Sequence, residues 1–200
     1  MISHLILLWM TLFFDELLEA EEVLRPLSKA SFIMQHDRST LADVLNMFGL
    51  LYQSFQKSCH STKLLSLLEK RWKQQEQPIF LLASFFDPKY VGMFRTMSRF
   101  KRNLDITSTI QYCLVYYKKF VVDLTGAEFN QMSKEVNDWY NDHVKAATLQ
   151  VSFTPTEFWK ALQGRLPLLS RLALFVLSIV VQTATCERLF STFGHFATKK

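Results

Sequence analysis

Apolar residues recur at helical spacing along most of this chain, and that property constrains its fold more than any other. Leu41, Val44, Leu45, Phe48, Leu51, Tyr52 and Phe55 fall at i, i+3, i+4, i+7 without a miss, and Thr40 with Asp43 supplies an N-terminal cap. Leu64, Leu65, Leu68 and Trp72 make a second stripe, ended by Pro78. The apolar run 79–86 stops at Asp87-Pro88, because the residue before a proline is pushed out of the helical region. Ile110, Cys113, Leu114, Tyr117, Val121 and Leu124 form a further stripe closed by Gly126, and Phe129, Met132, Val136, Trp139 and His143 form the next.

The pattern lapses over 146–153 and restarts at Thr154-Pro155-Thr156-Glu157, which combines a cap, a proline at the first helical position and a capping-box glutamate. Residues 168–177 read as a buried helix. Ile179, Val180 and Val181 are β-branched and leave room for one short strand before a final helix capped by Thr185. Leu189, Phe190 and Phe193 share a face of that helix, and Glu187 sits in its first turn, where the helix dipole favours a negative charge. The expected fold class is mainly α, with a candidate boundary in the loop that separates 1–150 from 151–200.

Composition narrows what such helices do. The apolar set makes up 49% and the charged residues only 20% of the chain, with 18 Phe and 4 Trp. An ordinary soluble domain carries about 25% charged residues. The surplus implies an aromatic core together with apolar surface meant for another chain. A net charge of +5 permits an acidic partner without demanding one. Arg95, Arg99, Lys101 and Arg102, interleaved with Phe94 and Phe100, form the strongest basic cluster, and Lys118 and Lys119 add a second. These six are the candidate phosphate contacts, read first as solvated helix ends.

Cys59, Cys113 and Cys186 are odd in number and far apart, which fits neither a disulfide framework nor a zinc spacing and implies a reducing compartment. No histidine pair stands at i, i+4, and the adjacent Cys59 and His60 have no partner cluster in the sequence, so no metal is expected. The apolar run 5–14 has no basic residue before it and is followed by Asp15 and Glu16, which makes a poor signal peptide. The run 172–181 falls well short of the ~20 residues that span a bilayer. No membrane partner and no secretion are expected.

Residues 158–199 carry a resemblance. Trp159 opens the stretch, a P-x-L-S-x-L-A helix follows at Pro167 to Ala173, a short apolar connection ends in small hydroxylated residues, and then come Glu187, Arg188, Phe190 and Ser191 as E-R-x-F-S, with Gly194 three residues on. In this order and spacing the segment resembles the C-terminal dimerisation region of hAT-superfamily DNA transposases. Upstream, Arg71-Trp72, the apolar run from Pro78 and Asp87-Pro88-Lys89-Tyr90 resemble the end of the helical insertion of those enzymes.

The resemblance implies a helical insertion-type bundle over 1–150, followed over 151–200 by an incomplete C-terminal helical portion of an RNase H-like fold, the whole truncated at both ends. It implies that Glu187 occupies the position of one of three metal-binding carboxylates. Two-metal phosphoryl transfer needs carboxylates on both ions. Asp15, Asp37, Asp43 and Asp87 do not stand in matching contexts, so Glu187 is expected to be inactive by itself, and Mg2+ or Mn2+ is expected only in a complete transposase. Cys186 replaces the small residue usual before that glutamate.

The expected function is therefore association, with self or with a related hAT protein, through Trp159, Leu169, Leu172, Phe175, Leu189, Phe190 and Phe193. The alternatives are a nonspecific DNA-binding helper and a fragment of an active DDE-type transposase whose aspartates lie upstream. The resemblance implies a nuclear location, and otherwise a cytoplasmic one.

Overall fold

The computed structural model describes residues 2–36, 38–100, 105–144 and 153–181, and of these the side chains outside 2–11 and 96–100. In chain order the helices are α1 (Ile2–Met34), α2 (Leu41–Gln56), α3 (Ser61–Gln75), α4 (Pro78–Phe86), α5 (Val91–Phe100), α6 (Ile106–Phe120), α7 (Gly126–Trp139), which runs on into a π-helical turn (Tyr140–Val144), α8 (Pro155–Leu162) and α9 (Pro167–Leu177). The protein is mainly α, and no strand occurs among the described residues. Ile179, Val180 and Val181 leave the helix but have no strand to pair with there, so their β-branched side chains do not create the short strand.

The helix ends follow local chemistry. Asp43 accepts the Thr40 N–H at 2.8 Å while the Thr40 hydroxyl lies 3.4 Å from the Asp43 N–H, which closes a reciprocal cap on α2. Thr154 and Glu157 form a full capping box on α8, with Pro155 in its first turn. Gly126 does not close the preceding helix. The α6 helix ends earlier, at Phe120, and Gly126 begins α7, because Thr125 and Glu128 make a capping box there that outcompetes continuation. The lapse expected at 146–153 and the helix expected from Thr185 lie almost entirely outside the described residues.

The chain divides into two compact units. One holds 1–36 and 46–75, the other 37–45 and 76–200. The first unit comprises α1, most of α2, and α3. It has few buried side chains: Met47 and Phe55 are covered and Phe48 meets Trp72 edge to face at 5.0 Å, but α3 buries none. Its longest helix, α1, carries Pro26 in its interior and exposes Phe13, Phe14, Leu17, Leu18, Leu24 and Phe32.

The second unit is built differently. The α4 helix is buried along most of its length, with α5, α6 and α9 packed against it, α7 against α6 and α9, and α8 against α9. Phe85, Phe86, Phe94, Trp139, Trp159, Leu169 and Leu172 fill this core. The aromatic surplus is thus split between a ring-rich core in the second unit and apolar surface that is most extensive on α1.

Candidate association site

Two tryptophans organise the C-terminal helices. The last carbonyls of a helix have no partner within it. At the end of α4 the Asp87 N–H takes the Ala83 carbonyl at 2.9 Å, while the Trp139 indole N–H donates to the Phe85 carbonyl at 3.0 Å and that of Trp159 to the Phe86 carbonyl at 2.6 Å. The two indoles lie 4.7 Å apart, and Trp159 meets Phe86 edge to face at 5.5 Å. Each ring therefore buries its apolar body and satisfies its one donor, the arrangement in which a buried tryptophan is least costly.

The start of α9 is capped from another helix. Leu166 has no capping side chain and Pro167 has no N–H, so the Leu169 N–H turns to Glu135 of α7, whose Oε2 accepts it at 2.8 Å while Gln131 donates to Oε1, also at 2.8 Å. Glu135 is buried, and its charge faces the positive end of α9. Beside it, His143 packs on Trp139 at 4.6 Å, and its buried Nε2 has no hydrogen-bond partner. Burial holds the His143 imidazole below its ordinary range; Asp142 opposes this and Arg165, itself paired with Asp142, reinforces it.

With its inner face fixed, α9 has a defined outer one. Leu169, Leu172, Ala173 and Val176 point into the core, whereas Phe175 keeps 39% of its surface. Phe175 stacks on Phe120 at 4.6 Å and Phe120 on Tyr116 at 5.4 Å, with the Lys119 ammonium 5.6 Å from the Phe120 ring. Phe129, Phe153 and Val180 are the other large apolar side chains exposed in the C-terminal part among the described residues.

Residues 128–200 match the family model of the hAT family C-terminal dimerisation region. This part of the chain is similar to the hAT-type C-terminal dimerisation region. No curated protein and no solved structure matches the chain. The matched region takes in most of α7 together with α8 and α9, and its Trp139 and Trp159 are the two that close the end of α4.

The residues expected at the interface separate in the fold. Trp159, Leu169 and Leu172 are fully buried within the single chain; helical periodicity marks an apolar face without saying which body covers it. Phe175 remains available. Leu189, Phe190 and Phe193, and Glu187 with them, lie outside the described residues.

Of the six basic residues, the side chains of Arg95, Lys118 and Lys119 are among those described. Lys118 pairs with Asp123 at 3.0 Å and Lys119 sits over aromatic rings, both in the last turn of α6, where cations offset the helix dipole. Arg95 lies on α5, partly buried; the Arg99 side chain, Lys101 and Arg102 are outside the described set.

The D-P-K-Y turn proves to be a built polar cluster rather than a mere helix stop. Asp87 is buried and accepts the Lys89 N–H at 3.0 Å. Asp43, on α2, accepts from the Tyr90 hydroxyl and, at 3.4 Å, from the Lys89 ammonium. Burial pushes the Asp87 carboxyl up to about 6, with Asp43 adding to the rise and the Lys89 N–H resisting it. Asp43 moves the other way: burial would raise it, but the Thr40 N–H, the Tyr90 hydroxyl and Lys89 together hold it below the ordinary aspartate value.

Proposed function

We propose that the chain is an association module derived from a hAT transposase, pairing with a second copy of itself or with a related hAT protein, and not catalytic alone. The match of 128–200 to a region defined by dimerisation carries this reading. Phe175 supports it physically: an exposed ring already stacked on Phe120 loses little freedom when a partner covers it, and aromatic anchors of this kind dominate interface energies. Phe175 and Phe120 are the residues assigned to the contact.

The non-catalytic part of the proposal rests on Glu187 being the lone carboxylate in a family-type context. Two-metal chemistry asks for further carboxylates beside it. Asp43 and Asp87 are engaged with Thr40, Lys89 and Tyr90, a turn-stabilising arrangement. No catalytic step is assigned to them. A nuclear location is part of the same proposal, by family. Among the described residues no helix is long and apolar enough to cross a membrane.

Copurification tests the association. When two differently tagged copies of the full chain are coexpressed, each tag should recover the other, and Phe175→Asp should abolish the recovery while leaving the melting temperature nearly unchanged. Recovery that is indifferent to Phe175→Asp would move the contact elsewhere. Absence of recovery for the parent chain, in either tag order, would reject self-association. Magnesium- or manganese-dependent strand cleavage by the purified chain would reject the non-catalytic part.

A further inference from the structure

Cys59 and His60 stand side by side in the turn between α2 and α3, and in the sequence nothing near them completes a ligand set. The fold of the first unit supplies what the sequence lacks. Glu19, 40 residues earlier on α1, brings its Oε1 to 2.9 Å from the Cys59 sulfur and 2.8 Å from the His60 Nε2. Among the described residues these three form the one group of thiol, imidazole and carboxylate whose ligand atoms all lie within 4.8 Å of one another. Glu19 is half-buried, and Cys59 and His60 are exposed.

We propose that Glu19, Cys59 and His60 form a site for a borderline-soft divalent cation of the zinc class. Two donors already converge on a single carboxylate oxygen, and a cation at their meeting point would replace both hydrogen bonds. In a tetrahedral site with bonds of about 2.0–2.3 Å, ligand atoms stand roughly 3.3–3.8 Å apart. The two measured separations are shorter than that, so the triad must open by ~0.5–1 Å, a movement open to side chains at the surface. The thiolate and imidazole select zinc-like ions over magnesium and calcium, which prefer oxygen alone. The remaining position would be filled by water.

Binding balances without any redox step. The Cys59 thiol loses its proton to solvent as the sulfur–metal bond forms. His60 gives the Nε2 proton that it donates to Glu19 up to solvent and coordinates as the neutral ring through Nε2, with a proton on Nδ1, and Glu19 coordinates as the carboxylate. Because the thiol must lose its proton to bind, metal uptake falls as pH is lowered.

The position gives the ion a consequence. It would tie α1 to the α2–α3 turn in a unit where α3 buries no residue, and a ligand that binds only the folded state stabilises it by mass action. The test uses cobalt(II) as a spectroscopic probe on the full, metal-free chain. Expected are a thiolate-to-cobalt charge-transfer band saturating at one ion per chain, its displacement by zinc, and a zinc-dependent rise in melting temperature. Cys59→Ser should abolish the band, Cys186→Ser should leave it, and Glu19→Gln and His60→Gln should each weaken cobalt binding by roughly tenfold or more, the scale of a lost metal-site partner. Circular dichroism checks that the variants fold. No band, a band that follows Cys186 instead of Cys59, or one indifferent to Glu19→Gln and His60→Gln would overturn the proposal.

Discussion

Asp87 shows how one residue type takes two roles in the same turn. Its carboxyl is buried beside Asp43, so the charged form is penalised and the group titrates at about 6 instead of near 3.8. A carboxyl raised in the folded state binds its proton more tightly there than in the unfolded chain. Its contribution is therefore fully present below about 4 and is lost as pH rises through about 6. Asp43, held low, contributes in the opposite sense, lost only as pH falls below the ordinary aspartate range. Asp87→Asn should flatten the loss of stability between pH 4 and 6, measured by urea unfolding at stepped pH. An unchanged slope would contradict the assignment. The D-P-K-Y turn was visible in the sequence as a helix stop, but its pairing with Asp43 was not, because residues 46 and 47 positions apart meet only through the fold.

At the scale of elements, α9 depends on a cap it does not encode. Glu135→Ala removes the acceptor for the Leu169 N–H and leaves that donor buried, a loss expected to cost about 1–3 kcal/mol by chemical denaturation. A variant as stable as the parent would show that α9 is held by packing alone. The helices with local signals were legible in advance: Thr40 with Asp43 for α2, Asp87-Pro88 for the end of α4, and Thr154 with Glu157 for α8. Gly126 was misread for an equally local reason, since Thr125 and Glu128 turned a helix stop into a helix start. The interface residues were harder. Trp159 on α8 and Leu169 and Leu172 on α9 have the periodicity of any apolar stripe, and their burial within the chain is seen only in the fold. Cys59 and His60 had an unseen neighbour in Glu19 because no local pattern ties α1 to the α2–α3 turn.

At the scale of the whole molecule, core and association surface should separate under mutation. Trp159→Ala opens a cavity beside α4 and should destabilise the chain by about 3–5 kcal/mol, lowering association only as far as it unfolds the protein. Phe175→Asp should do the reverse. If both variants lost stability equally, Phe175 would belong to the core rather than to a surface. The hAT-type region defines where the association is expected, and the packing of α9 selects its outer face. Light scattering of the full-length chain at two concentrations tests this most directly. A dimer mass at high micromolar concentration that falls toward the monomer on dilution, or with Phe175→Asp, is the predicted result; a monomer throughout the range would contradict it.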